Sequence, residues 1–377
     1  MIHNPGFLVT IFAFLLVIGP LIFVHEMGHY LAGRLFGTKI DTFSIGFGAE
    51  IAGWTDRRGT RWKLSAFPLG GYVKFAGDLN AASEPDPAWL ELPPAERALT
   101  LPGKPVWQRA IIVAAGPVVN LLLAVLILAG FAYAYGENVT PSVIGAVQHG
   151  SAAAVAGLQP GDRVTAIGGR AVETYVEIKG YVVLRPAETV KLDFVRAGQA
   201  GHVNLVIGTE VQKDRFGNVS RTGLLGIAAA APVSRPVNLI EAPFVGLRAV
   251  RDILQGQVDA IGQIITGRRS LDELGGPLKI AQYSGQQLTM GPEQLIWFIA
   301  MVSINLGFIN LLPIPMLDGG HLLFYALEAV RRRPVDANVQ EWAFRGGLAA
   351  ILALMLFVTF NDLGSFGLWK NLAGLIG

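Results

Sequence analysis

The sequence predicts a polytopic α-helical membrane protein with about four transmembrane helices and one inserted water-soluble domain. Its 377 residues are 52% hydrophobic and only 15% charged, which is too apolar for a soluble protein of several domains. Apolar runs recur along the chain, at residues 7–31, 111–135, 295–312 and 346–360. Between the second and third runs, residues 137–212 alternate short β-like segments with turns, as a small soluble domain does.

Composition limits the chemistry that the chain can perform. The formal net charge is +2 and no basic run is interleaved with aromatic residues, so nucleic acid is not expected as a partner. The chain has six histidines and no cysteine, which excludes disulfides, thiolate nucleophiles and cysteine zinc sites. Histidine and carboxylate side chains are therefore the expected zinc ligands.

The first apolar run ends in the motif His25-Glu26-Met27-Gly28-His29. If this run is helical, His25 and His29 lie about 6 Å apart on one face, where both imidazoles can bind one tetrahedral zinc ion. In zinc hydrolases with this motif the glutamate, here Glu26, takes a proton from the attacking water and later delivers it to the leaving amine. The alternative is that the two histidines fall on one helix face by chance and bind no metal. Ionisable residues at the end of a membrane span are costly, which favours a functional site.

The same run is expected to be a retained span rather than a signal peptide. No small-residue cleavage site follows it and no Lys or Arg precedes it. Cleavage would also remove or isolate the zinc motif.

The third apolar run continues into a proline-interrupted segment that supplies a carboxylate. Pro313 and Pro315 break the helix at membrane depth, where non-helical backbone is tolerated only inside protein or along a wet cavity. Asp318 follows; two histidines, one carboxylate and a water match catalytic zinc, whereas structural zinc uses four protein ligands. Iron or cobalt would also suit this donor set. His321 is the rival ligand, although a supporting or surface position is favoured for it.

Two further regions are expected to contact a substrate backbone. Asn305 and Asn310 lie ahead of the proline break and could hydrogen-bond an extended peptide. The apolar segment 43–48 contains two glycines, and it either packs against the site as a β-loop with open backbone edges or is an ordinary hairpin turn. Asn120, in the second run, is expected to hydrogen-bond between helices rather than to act in catalysis.

Residues 151–164 carry the clearest signal in the soluble domain. A short helix, a glycine stop and the turn Pro160-Gly161-Asp162 lead into a strand, which looks like the signature of a PDZ domain. PDZ domains capture peptide ends by adding them to a sheet edge. A generic β-rich module is the alternative.

Charge sets the expected orientation. Arg331, Arg332 and Arg333 form a short basic loop that is expected on the cytoplasmic side. Counting spans from this loop places the soluble domain and both termini outside the cytoplasm. The expected domains are the first transmembrane helix (1–33), a cytoplasmic loop with a β-hairpin (34–109), the second transmembrane helix (110–136), a PDZ-like α/β domain outside the cytoplasm (137–212), an amphipathic helical linker (213–292), the third transmembrane helix (293–333), and a cytoplasmic loop, fourth transmembrane helix and tail (334–377).

Over almost its whole length the chain resembles the site-2 protease family of intramembrane zinc metalloproteases, in particular the bacterial branch that cleaves a membrane-bound anti-sigma factor. The resemblance rests on the His25 to His29 motif, on Leu317-Asp318-Gly319 in the third span, and on the PDZ-like insertion. It implies zinc ligands at His25, His29 and Asp318, the general base at Glu26, substrate-facing positions at Asn305, Asn310, Pro313 and Pro315, and a membrane-associated re-entrant β-loop at Gly46, Phe47 and Gly48. The resemblance also implies that the β-hairpin is re-entrant and that the PDZ-like domain is periplasmic. Well-known members of this branch carry two PDZ domains, whereas residues 137–212 leave room for one.

These observations predict a bacterial inner-membrane zinc metalloendopeptidase with one Zn²⁺ ion near the cytoplasmic side. Its expected substrate is a single-pass membrane protein, such as an anti-sigma factor or a signal-peptide remnant, cut in or near its transmembrane segment in regulated intramembrane proteolysis. The lipid bilayer and peptide ends at the PDZ-like domain are the other expected partners. The alternative is a catalytically inert, membrane-anchored PDZ peptide receptor, in which Glu26 is dispensable. A metal transporter is disfavoured because its polar groups would extend across several spans.

Overall fold

The computed structural model describes residues 6–80, 86–213, 219–266 and 275–365. The chain forms two compact units. Unit 1 contains residues 1–128, 246–259 and 271–377, and unit 2 contains residues 129–245 and 260–270.

Ten α-helices occur among the described residues. They are α1 (Phe7–Leu35), α2 (Pro94–Arg97), α3 (Val106–Tyr135), α4 (Ala152–Val155), α5 (Tyr175–Val183), α6 (Ala242–Ile265), α7 (Pro277–Met290), α8 (Pro292–Leu311), α9 (Asp318–Arg331) and α10 (Ala337–Ser365). Within the described ranges, four segments are long and apolar enough to cross a membrane, namely α1, α3, α8 and residues 338–364 of α10. These four helices fit the predicted polytopic membrane protein.

Helix α1 carries a buried stripe that leads into the zinc motif. Ala13, Val17 and Leu21 are fully buried and are spaced four residues apart, so they lie on one face of the helix. His25 and His29 continue this spacing and are also buried. The periodicity that packs α1 into unit 1 therefore also turns both imidazoles inward.

Unit 1 also contains a folded β-hairpin, made of β1 (Ile40–Thr55) and β2 (Arg61–Phe75). Both strands bend, so that residues 40–45 pair with 71–75 on one side and with 61–64 on the other, while 50–55 pair with 61–65. Gly46 and Gly48 stand near the bend of β1 with φ values of 91° and 87°, which favour glycine. Residues 71–75 thus form an edge of the sheet within the described part of the chain.

Unit 2 is built of short antiparallel strands around one apolar core. The strands are β3 (Glu137–Val139), β4 (Ile144–Val147), β5 (Arg163–Ile167), β6 (Arg170–Ala171), β7 (Thr189–Arg196), β8 (Gln199–Val206), β9 (Gly208–Lys213), β10 (Val219–Leu224), β11 (Ile227–Ala229) and β12 (Val233–Arg235). The largest sheet of the described part of unit 2 has four strands in the order β6-β5-β7-β8. Its core includes Val164, Ile167 and Leu192, together with Ile178 of α5. The short β-like segments that the sequence predicts within residues 137–212 are confirmed, because β4, β5, β7 and β8 lie there.

The strands of unit 2 continue past residue 212, where the sequence places the start of a helical linker. β11 pairs with β4, and β12 pairs with β3, so the segment 227–235 belongs to the β-rich domain. Each of these strands has only three residues, and its hydrogen-bond partners lie far away in the sequence. The predicted amphipathic helix begins only at Ala242, as α6.

Candidate active site

Three side chains from two distant parts of unit 1 converge on one point. His25 Nε2 lies 3.2 Å from His29 Nε2 and 3.2 Å from Asp318 Oδ2, and His29 Nε2 lies 3.5 Å from Asp318 Oδ1. Ligand atoms bound to one tetrahedral zinc at 2.0–2.1 Å are about 3.3 Å apart. The two imidazole nitrogens and the Asp318 carboxylate therefore approach one another at about the spacing of zinc ligands, and two imidazoles with one carboxylate are a donor set that zinc accepts.

Helix α3 packs antiparallel against α1. Three of its residues, spaced four apart, contact the two histidines of the cluster. The carbonyl oxygen of Ile112 accepts a hydrogen bond from His29 Nδ1 at 2.9 Å, which leaves Nε2 free to bind a metal. At Gly116, a Cβ atom would collide with His29 Nε2 and lie 2.9 Å from His25 Nε2. Asn120 Nδ2 lies 3.3 Å from His25 Nδ1. The glycine thus keeps open the space between the imidazoles that an ion needs.

The Glu26 side chain, on α1, faces the edge of the β-sheet. It is buried, with 6% of its surface exposed, and it lines the same cavity as the two histidines. Gly71 of β2 approaches so closely that a Cβ atom there would stand 2.9 Å from Glu26 Cγ. The sheet edge therefore packs directly against the predicted general base.

The three converging side chains and Glu26 line a cavity of about 470 Å³. Phe47 of β1, the sheet edge around Gly70 to Val73, Asn310 of α8 and His321 of α9 also line it. The aromatic rings of Phe47 and Tyr72 are stacked, with centroids 5.9 Å apart. The cavity thus places the edge of a β-sheet beside the histidine–aspartate cluster.

The proline-interrupted segment sets the position of Asp318. Helix α8 ends at Leu311 and α9 begins at Asp318, so the break contains both Pro313 and Pro315. Met316 has φ 83°, an uncommon value for a residue with a side chain, and it also lines the cavity. This turn brings the first residue of α9 back to the two histidines.

Other predicted substrate-binding residues do not line the cavity. Asn305 is exposed, and its Oδ1 accepts a hydrogen bond from Gln257 Nε2 of α6 at 2.5 Å. Gly46 and Gly48 pack within the β-hairpin, where a Cβ on Gly46 would meet the carbonyl oxygens of Ser65 and Phe67 at 2.9 Å. Pro313 and Pro315 lie in the non-helical segment between α8 and α9. Of the Gly46-Phe47-Gly48 segment, the side chain of Phe47 reaches the cavity.

The contribution of α3 was not anticipated from the sequence. Asn120 was expected to join helices, and Ile112 and Gly116 were not singled out for the zinc site. The signal that points to them is their spacing of four residues, which matches the spacing of His25 and His29.

Comparison with known proteins identifies the family. The family model of peptidase family M50 matches residues 13–354. A candidate zinc metalloprotease of Agrobacterium fabrum is 46% identical over 96% of this chain and 97% of its own length. The metalloprotease MmpA of Caulobacter vibrioides is 37% identical over 98% of this chain and 99% of its own length.

Among solved structures, the PDZ domain of an SdrC-like protein of Listeria monocytogenes is similar to part of the chain. It is 20% identical and covers 25% of this chain and 92% of that domain, with a TM-score of 0.19, which is too low to assign a fold. The family match and the relatives cover nearly the whole sequence, including both halves of the histidine–aspartate cluster. The chain belongs to peptidase family M50, the site-2 proteases, and is a membrane zinc metalloprotease.

Proposed function

We propose that the protein is an inner-membrane endopeptidase that hydrolyses a peptide bond within or beside the transmembrane segment of a single-pass membrane protein. The substrate class is an anti-sigma factor or a signal-peptide remnant, processed in regulated intramembrane proteolysis. His25, His29 and Asp318 hold the zinc ion, and Glu26 is the general base. The convergence of these four side chains on one cavity is the observation that carries the proposal.

The residues of the chain divide the reaction between them. His25, His29 and Asp318 would hold zinc, whose chemistry there would be to polarise the scissile carbonyl and to lower the pKa of water. The Glu26 carboxylate takes a proton from the attacking water as the water oxygen bonds to the carbonyl carbon. Glu26 then delivers that proton to the amide nitrogen as the C–N bond breaks, which releases a carboxylic acid and an amine. Burial of Glu26 keeps bulk water from competing for the proton.

The sheet edge supplies a means of holding substrate. A helical peptide bond is shielded by its own hydrogen bonds, so the substrate must unwind before it can react. Residues 71–75 pair with β1 on one side only within the described residues, so an extended peptide can add to the other side. Asn310 and Phe47, which line the same cavity, would contact that peptide.

A second groove, in unit 2, is proposed to take peptide ends. It has a volume of about 380 Å³ and lies between α5 and the segment 222–227. Ile178 and Val182 of α5 line it, and the Tyr175 hydroxyl donates to the carbonyl oxygen of Ile227 at 2.7 Å. In the proposed orientation this domain is periplasmic and the basic loop 331–333 is cytoplasmic, which puts the zinc site near the cytoplasmic side.

The direct test compares the wild type with Glu26→Gln in membranes, using a panel of tagged single-span substrates, with bound zinc measured in both. Loss of a general base is expected to lower cleavage by about 100- to 10,000-fold with zinc retained. Glu96→Gln, which changes an exposed carboxylate in α2, is the matched control and should cleave like the wild type.

Two outcomes would contradict the proposal. Equal cleavage by the wild type and Glu26→Gln would remove Glu26 from the reaction. If neither protein cleaves any member of the panel while zinc stays bound, the inert peptide receptor becomes the better account.

A further inference from the structure

Asn120 presents an unusual buried contact to the metal cluster. The residue is fully buried on α3, and its Nδ2 lies 3.3 Å from His25 Nδ1. Its Oδ1 is also buried, yet it has no hydrogen-bond partner among the described residues. A buried polar atom without a partner costs about 1–3 kcal/mol, so this arrangement calls for a physical explanation.

The ring nitrogen that carries the proton in a metal-bound histidine decides whether the oxygen or the nitrogen of the Asn120 side-chain amide should face it. His25 offers Nε2 to the cluster, so in its neutral form the ring proton is on Nδ1. His29 shows the suitable partner for such a proton, because its Nδ1 faces the carbonyl oxygen of Ile112 at 2.9 Å. With Nδ2 of Asn120 facing His25, two N–H donors would oppose each other.

Rotation of the Asn120 amide by 180° removes this conflict. The two ends of an amide group have nearly the same size and shape, so the exchange needs no movement of neighbouring atoms. Oδ1 then accepts a hydrogen bond from His25 Nδ1. Nδ2 takes the former place of Oδ1, where no described residue supplies a donor, so no new conflict between donors arises.

The backbone of Asn120 is held in place by a third helix. The hydroxyl group of Ser303, on α8, donates to the Asn120 carbonyl oxygen at 2.8 Å, and both residues are fully buried. The amide is therefore attached to a fixed point when it meets His25. An acceptor fixed in this way can hold one tautomer and one ring orientation of a ligand histidine.

We propose that Asn120 is a positioning residue for zinc, which accepts a hydrogen bond from His25 Nδ1–H through Oδ1. The inference rests on the proposed role of His25 as a zinc ligand. Asn120 lines the same cavity, and it acts through His25 by keeping the lone pair of His25 Nε2 directed at the metal. Removal of such a partner typically weakens metal binding 10- to 100-fold.

The test measures zinc affinity of the full-length protein in detergent, by competition with a chelator. Asn120→Leu keeps the approximate volume and removes the acceptor, and it should weaken zinc binding about 10- to 100-fold. Asn120→Asp keeps acceptor oxygens and has no N–H donor, so it should bind zinc within a few-fold of the wild type. Val118→Leu, at an exposed position of the same helix, is the control and should match the wild type.

The visible absorption spectrum of the cobalt-substituted protein gives a readout of ligand geometry that is independent of cleavage. It should change for Asn120→Leu and keep the wild-type form for Asn120→Asp. Wild-type zinc affinity in Asn120→Leu, or an equal loss in Asn120→Leu and Asn120→Asp, would overturn the proposal. His25→Ala separates the two levels of the argument, because unchanged zinc affinity in that variant would refute the ligand role of His25 itself.

Discussion

Each unit of the protein contains a largely buried aspartate that faces nitrogen atoms. The two sites differ in the kind of nitrogen atom that faces the carboxylate. In unit 2, the Asp162 side chain is 1% exposed and receives two hydrogen bonds from the Arg196 guanidinium, both 2.7 Å, and a third from the backbone N–H of Gln159 at 2.8 Å. In unit 1, the Asp318 side chain is 18% exposed and faces the Nε2 atoms of His25 and His29.

The difference lies in whether the chain itself supplies the opposite charge. The guanidinium is always protonated and matches the carboxylate with two parallel N–H groups, so the Asp162 site is complete. The imidazole nitrogens of the Asp318 site are acceptors when their rings are neutral and protonated on the other nitrogen. A carboxylate grouped with acceptors needs a cation, whereas a carboxylate grouped with donors stabilises the fold. Changes at the Asp318 site should therefore alter zinc binding, and changes at Asp162 should alter the stability of unit 2.

Asp318→Asn should abolish the metal site while leaving the fold of unit 2 intact. An amide oxygen is a weaker zinc ligand than a carboxylate, and the Lewis-acid contribution of zinc is several kcal/mol, on the order of 1,000-fold in rate. Bound zinc and cleavage in membranes measure the effect. Zinc content equal to that of the wild type would show that Asp318 is not a ligand.

Gly116→Ala should weaken zinc binding without weakening helix α3. The added Cβ would collide with His29 Nε2, and overpacking of about 1–3 kcal/mol corresponds to roughly 10- to 100-fold in affinity. Gly130→Ala is the matched control, because it lies on the same helix and its Cβ would meet nothing within 4 Å. Chelator competition on both variants checks the prediction, and equal affinities would contradict it.

Asp162→Asn should destabilise unit 2 and leave zinc binding unchanged. The substitution removes the charge of a buried carboxylate and with it part of three hydrogen bonds, a loss of about 2 kcal/mol. Hydrogen exchange of the amides in β5, β7 and β8 should show a lower free energy of opening. A fall in zinc content without faster exchange would contradict the assignment of Asp162 to the fold alone.

Acid below about pH 4 should destabilise unit 2 through the same aspartate. The hydrogen bonds from Arg196 lower the pKa of Asp162 in the folded state, so the folded chain binds this proton less readily than the unfolded chain. The stabilisation is complete above the unfolded pKa of about 3.9 and is lost as the pH falls through the folded pKa. Hydrogen exchange measured at several pH values below 5 should show this dependence in the wild type and a weaker one in Asp162→Asn.

Local sequence patterns predicted most of the elements. The apolar runs that were assigned to α1, α3 and α8 are helices, and the alternating segments assigned to unit 2 are strands. The pairing of β11 with β4 was not predictable, because three-residue strands become strands only through hydrogen bonds to a distant partner. Residues 71–75 alternate in the sequence as a strand does, but their position at a sheet edge depends on the way β1 and β2 fold back on themselves.

The sequence by itself determined the chemical identity of the site. His25, Glu26 and His29 share one helix, and the spacing of four residues places both imidazoles on one face because an α-helix has 3.6 residues per turn. The prolines ahead of Asp318 indicated a break in the helix at membrane depth. These signals are local, so they can be read from short stretches of the chain.

Only the tertiary structure decided what surrounds those side chains. The carbonyl of Ile112 lies 83 residues from His29, and Asn120 lies 95 residues from His25, so no local pattern links them. They meet because α1 and α3 pack antiparallel and in register, with Gly116 between the two imidazoles. Packing thus selected the hydrogen-bond partners that orient each histidine, and it set the gap into which a zinc ion fits.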